Sequence, residues 1–209
     1  MITIPFIGEG CPDRILDSLK PFDINTNNWP GEFSYEPSVK VAAYHDGKFL
    51  HLKWHVIEDC AKAEVGESGN PVYMDSCVEC FISPEAGDGL YYNFEWNCIG
   101  CLDLACRSGR FDPIPAPKEV LDSVKAVSSL GTKTFKETGG GVEWTLRVDI
   151  PASALFHHPV ESWSGKKFKI NMYKCGDGLS KLHYLTWAPV LTEHPDYHRP
   201  EYFREVSFE

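Results

Sequence analysis

The run LYYNFEWNC at 90–98 alternates almost perfectly. Tyr92, Phe94, Trp96 and Cys98 fall on one face, and Tyr91, Asn93, Glu95 and Asn97 on the other. Successive strand side chains point to opposite faces, so strict alternation predicts a half-buried strand. The run at 75–83 alternates too, with Cys77, Glu79 and Phe81 opposed to Val78, Cys80 and Ile82. Between the runs, Pro84-Glu85-Ala86-Gly87-Asp88-Gly89 is dense in turn formers. Paired as a hairpin, the runs set Glu79 beside Asn93, Glu95 and Asn97 on one polar face. An apolar face backs it, and Tyr73 stands at its entrance.

The rest of the chain repeats this grammar. Residues 39–44 and 48–56 flank His45-Asp46-Gly47, and Asp-Gly between alternating runs signals a hairpin. The stripe His51, Lys53, His55 reads as a solvated face. Further short strands are expected at 2–7, 101–106, 124–129, 133–136, 141–150, 167–174, 182–187 and 205–208. Helical turns are expected at 11–19 and 151–156. Residues 25–31, 58–70 and 107–116 read as loops, the last because Pro113 and Pro115 cannot occupy a central strand. Trp29 in the first of these loops reads as a hydrophobic plug. Nine to eleven short strands without a long helical period predict an all-β fold. Its form is an antiparallel β-sandwich, immunoglobulin-like or jelly-roll-like. With no repeat, linker or low-complexity tract, residues 1–209 read as a single domain.

A net charge of −10 disfavours nucleic acid and anionic membranes as partners. No run reaches the roughly 18 apolar residues of a membrane span. The start, MITIPFI, has no basic region, apolar core or small-residue cleavage site, so no signal peptide is read there. The sequence as it stands points to the cytoplasm, or to the periplasm or exterior if a signal has been removed. The eight cysteines are then expected as reduced thiols. Cys77-x2-Cys80 and Cys98-x2-Cys101 match a four-cysteine zinc template in spacing. Residues i and i+3 on a strand point apart, however, whereas zinc needs both thiolates on one side. The residues therefore call for no metal and no other cofactor.

A polar strand face is ordinarily solvated. Here it carries two amides and two carboxylates and no Lys or Arg, a set of donors and acceptors suited to the vicinal hydroxyls of a sugar. Glu79 and Glu95 also admit a second reading, as the carboxylate pair of a glycoside hydrolase, although nothing in the sequence marks either as buried in an apolar pocket. There is no Gly-x-Ser-x-Gly elbow, phosphate loop or His-Glu-x-x-His helix. A third reading is an interaction scaffold without sugar binding. The segment at 184–203 gathers Trp187, His194, Tyr197, His198 and Arg199 around prolines that stiffen it.

At these residues the chain resembles carbohydrate-binding module family 9, in its family 9-like branch of Bacteroidetes type. The resemblance rests on VYMDSCVECFISP at 72–84, YYNFEWNCIG at 91–100, VEWTLRVDIP at 142–151, and WAPV with PDYHRPEYF toward the C-terminus. It implies a non-catalytic β-sandwich that binds saccharide chain ends or small saccharides between two aromatic rings. Such modules serve carbohydrate catabolism, commonly attached to xylanases and related glycoside hydrolases, and some hold structural calcium. Carried over by motif, Tyr73 is one sandwiching aromatic and Glu79 the acidic hydroxyl ligand. The second aromatic is Trp187 or Tyr197. Asn93, Glu95 and Asn97 complete the floor, with His198 and Arg199 at the rim.

Overall fold

Alternation sorts the chain into two sheets packed face to face. The computed structural model describes residues 2–84 and 87–209; Glu85 and Ala86 of the expected turn lie outside the described residues. The strands in chain order are β1 (Ile2–Ile4), β2 (Phe22–Asp23), β3 (Thr26–Asn27), β4 (Ser38–His45), β5 (Phe49–Ala63), β6 (Cys77–Ser83) and β7 (Tyr91–Asn97). There follow β8 (Leu102–Arg107), β9 (Pro113–Pro115), β10 (Lys125–Ser128), β11 (Phe135–Pro151), β12 (Lys167–Cys175), β13 (Tyr184–Thr186) and β14 (Arg204–Phe208). Two short helices, α1 (Pro12–Ser18) and α2 (Lys118–Ser123), lie outside the sheets.

One sheet has nine strands, in the order β1-β14-β12-β6-β7-β8-β9, with β13 on the far half of β12 and β3 on β13. The other has five, β10-β11-β5-β4-β2. Among the described residues, every strand pairing is antiparallel except β1 on β14. The predicted antiparallel sandwich is therefore the fold. The inner faces meet in one core: Val78, Cys80, Ile82, Tyr92, Phe94 and Trp96 from one sheet pack against Leu52, Trp54, Trp144 and Leu146 from the other.

Four expectations are corrected. Residues 58–63, read as loop, continue β5 and pair with β11. The separate strands at 133–136 and 141–150 are one strand, β11. Its register against β5 shifts on either side of Thr138–Gly139, beside Gly140 and Gly141 at φ +99° and +84°. Pro113 and Pro115 do lie in a strand, β9, but at the sheet edge, where a missing N–H breaks no ladder. The His–Lys–His stripe is only partly solvated. His51 is buried, stacked on Tyr44 at 4.5 Å and paired with Asp149 at 2.7 Å, while Lys53 binds Asp17 of α1.

One ion pair crosses the core between the sheets. Lys174 on β12 meets Glu58 on β5 at 2.9 Å, and water touches neither side chain. Trp144 Nε1 donates to Glu58 Oε1 at 2.7 Å. His183 Nδ1 donates to the Lys181 carbonyl at 2.8 Å, leaving Nε2 to accept from Lys174 Nζ at 2.7 Å. Burial, and then the Lys174 charge, pull His183 down to about 2, so it stays neutral. Removing one partner of a buried pair strands the other charge, at about 3–5 kcal/mol. Lys174→Met is therefore expected to lower the unfolding free energy by that amount in urea denaturation. Adding Glu58→Gln is expected to restore part of the loss, and a double variant no better than Lys174→Met would contradict the pairing.

Candidate functional site

The outer face of the nine-stranded sheet differs from an ordinary solvated face. Every residue of β6 and β7 is buried, on both faces. Loops cover part of the outer face with Trp29, Val72, Val190, Tyr197 and Phe203 packed on Cys77, Phe81, Tyr91 and Tyr173. Where that cover opens, a cleft of about 430 Å³ reaches the sheet. Strand register sets its floor. Glu79, Glu95 and Asp103 stand side by side on β6, β7 and β8, with Tyr173 of β12 buried beyond Glu79.

The floor is a row of carboxyl groups in a poorly hydrated place. Glu79 is 3 % exposed and Glu95 5 %. Burial, and then the neighbouring Glu95, raise Glu79 well above the ordinary carboxylate range. Burial, and then Asp103, raise Glu95 to about 7. Burial also raises Asp103 and Asp177. Against this works a chain of donors. Arg107 Nε donates to Asn93 Oδ1 at 2.7 Å, and Asn93 Nδ2 donates to Glu95 Oε1 at 2.8 Å. Arg107 Nη1 also donates to the Arg110 carbonyl at 2.7 Å, fixing the loop that carries Arg110 and Phe111 into the cleft.

Of the residues read from the sequence, Tyr73, Glu79, Glu95, Tyr197 and His198 line the cleft. Tyr73 is 42 % exposed, as a wall residue must be. Tyr197 is largely covered: its ring stacks on Tyr173 at 4.1 Å, and its hydroxyl donates to the Lys174 carbonyl at 3.0 Å. His198 Nδ1 meets the Tyr91 hydroxyl at 3.0 Å. Burial, then Arg107 and Arg110, lower His198 to about 3, so it is neutral.

Four expected residues are not in the lining. Asn93 sits fully buried between Arg107 and Glu95 and positions the carboxylate. Asn97 is structural: its amide donates to Asp75 at 3.0 Å and to the Val65 carbonyl at 2.8 Å, and its oxygen accepts from Cys101 N–H. Asp75 in turn accepts from the N–H groups of Glu64 and Val65, so the Asp-Ser start of the β6 motif pins the loop leading to the cleft. Trp187 belongs to the intersheet core, edge-on to Phe22 and under Arg204. Arg199 is held on the exterior by Glu201 at 2.7 Å, beside Tyr202.

Sequence reasoning missed Phe33, Asp103, Arg107, Arg110, Phe111, Asp177 and Tyr184. Two signals were present. Alternation over 101–107 places Asp103, Ala105 and Arg107 on one face, next to Glu95. And Phe111 is a lone aromatic in the polar loop RSGRFDP; it is 88 % exposed.

The four-cysteine template does not assemble. Cys77 faces the cleft side, while Cys80 and Cys98 lie in the intersheet core. All eight cysteines are free. Among the described residues, one grouping of His, Cys, Asp and Glu has three ligand atoms close enough to share an ion: Cys77, Glu79 and Cys175, all within 4.8 Å of one another. Calcium takes six to eight oxygen ligands. Two sulfurs and one carboxylate do not suit it, so the expected structural calcium has no matching donor set in this trio.

The cleft is thus walled by loops on one face of the β-sandwich, floored by carboxyls and edged by exposed aromatic rings. The profile of carbohydrate-binding family 9 matches residues 13–208, and the chain belongs to that family. A protein from Bacteroides uniformis, provisionally assigned as carbohydrate-binding, is 36 % identical in sequence. The match covers 100 % of this chain and 98 % of that one, with a TM-score of 0.94. A family 9 module from Caldicellulosiruptor kristjanssonii, solved with glucose and with cellotriose, shares the fold at 12 % identity and a TM-score of 0.58. These two structures match 100 % of this chain and 95 % and 93 % of theirs. No protein of curated function matches in sequence. No helix among the described residues is long and apolar enough to cross a membrane.

Arg107 is the near cation holding Glu95 down. Arg107→Met is expected to raise Glu95 further above 7, with the largest shift among the glutamates, in a carboxyl-carbon NMR titration. An unchanged Glu95 would show that Arg107 acts on the loop alone.

Proposed function

We propose that this protein is a non-catalytic saccharide-binding module, and that its cleft takes a polysaccharide chain end or a small saccharide. The observation that carries the reading is the pairing of buried, hydrogen-bonded carboxyls at the floor with exposed rings at the walls. A pyranose presents an apolar C–H face and a ring of hydroxyls, and these need different partners. Tyr73 and Phe111, the most exposed aromatics of the lining, offer flat apolar surface. Glu79 and Glu95 accept hydroxyl protons. Hydrogen bonds to charged groups contribute about 1.5–3 kcal/mol, against roughly 1 for neutral pairs, so Glu95 would dominate specificity once ionised, above about pH 7, while burial favours the protonated form of Glu79. Arg110 and His198 supply the polar rim. The cleft volume suits one or a few sugar rings. Family membership supports saccharide as the ligand class, as do the glucose and cellotriose held by the Caldicellulosiruptor module.

The glycosidase alternative is put to the same test. A carboxyl raised to about 7 is the kind a general acid uses. Binding of cellotriose without release of shorter sugars supports the module, and release of product would favour the enzyme. Free thiols further suit a setting that keeps cysteine reduced.

Two outcomes are expected by calorimetry with cellotriose or another bound saccharide. Tyr73→Ala weakens binding about tenfold, equal to about 1.4 kcal/mol, with unchanged folding. Ligand hydroxyls prefer the ionised carboxylate, so affinity falls as pH drops through about 7, where free Glu95 takes up its proton; Glu95→Gln flattens that dependence. Wild-type affinity in Tyr73→Ala would place the site elsewhere.

A further inference from the structure

We propose that Cys77, Glu79 and Cys175 form a binding site for one thiophilic divalent metal ion of the zinc type, at the floor of the cleft. The geometry comes from strand register. Cys77 on β6 and Cys175 on β12 are direct cross-strand partners, so both thiols rise on the cleft side of the sheet. Glu79, two residues on from Cys77, rises on the same side. Cys175 Sγ lies 3.1 Å and Cys77 Sγ 3.9 Å from Glu79 Oε1. Around a tetrahedral zinc with bonds of about 2.3 Å to sulfur and about 2.0 Å to oxygen, a sulfur and an oxygen sit about 3.5 Å apart. The two observed distances bracket that value, so small side-chain rotations would bring all three atoms onto one ion.

The donor set points to the metal class. Two thiolates select soft or borderline ions such as zinc over magnesium and calcium. Three protein ligands leave a fourth tetrahedral position. Glu79 and Cys175 both line the cleft, so that position opens toward solvent, and the ion has a path in. On binding, the ion displaces the thiol and carboxyl protons to solvent, so uptake releases protons and tightens as pH rises. The inference stands on the trio alone and does not need the cleft to bind sugar.

The test is titration of the reduced full-length chain, without saccharide, with cobalt(II) as a spectroscopic probe and with zinc. The expected result is about one equivalent per chain, with sulfur-to-cobalt charge-transfer bands and tetrahedral ligand-field bands that zinc abolishes. Cys175→Ser and Cys77→Ser are expected to lose the thiolate bands. Glu79→Gln, which keeps the shape of the side chain, is expected to weaken cobalt binding at least about tenfold. Cys11→Ser, at an exposed thiol, and Cys80→Ser, on the opposite face of β6, are expected to retain full uptake. Thermal melts identify any variant that fails to fold, and Glu79→Gln then carries the decision. No stoichiometric uptake by the reduced wild type, or uptake unchanged in Cys175→Ser and Glu79→Gln, would overturn the site. Loss of uptake with saccharide binding intact in Cys77→Ser, a thiol outside the cleft lining, would confirm the metal site and separate it from the sugar reading.

Discussion

The structure depends on placing Glu79 and Glu95 side by side on neighbouring strands, away from water, without losing the sheet. Two like charges at cross-strand distance in a poorly hydrated place repel, and each pays for desolvation. The chain meets this in three ways. Both groups have raised proton affinity, Glu95 to about 7. Arg107 reaches Glu95 through Asn93, so a cation and an amide share the load. Cys175 lends its thiol proton to Glu79. The surrounding loops are then fastened by buried hydrogen-bonding groups, chiefly Asp75 and Asn97.

The sandwich was legible because its signal is local. Alternation in β6, β7 and the late part of β11 is a property of a few consecutive residues. The inner-face residues it named, such as Phe94, Trp96, Trp144 and Leu146, are the core. Boundaries were less legible where tertiary pairing overrides local character. Residues 58–63 look polar yet extend β5, because β11 is long enough to pair with them.

The lining of the candidate site was legible in part, for the same reason. Glu79, Glu95 and Tyr73 were found because they sit on or beside a strand with a clear period. Trp187 and Arg199 were misplaced because a loop's side-chain directions are set by contacts distant in sequence: Phe22 and Arg204 for Trp187, and a local turn with Glu201 for Arg199. Burial was likewise invisible. Neither Glu79 nor Glu95 carries a local mark of the loops that fold over it. The cysteines give the sharpest case. Spacing suggested Cys77 with Cys80, whereas register pairs Cys77 with Cys175, almost a hundred positions away.

The central claim is that saccharide enters the cleft above Glu79 and Glu95. The most direct measurement is a crystal structure of the chain grown or soaked with cellotriose. The account predicts a sugar ring in that cleft, with hydroxyls on Glu79 and Glu95 and an apolar face on Tyr73 or Phe111. Saccharide density elsewhere, with the cleft filled by water alone, would contradict it.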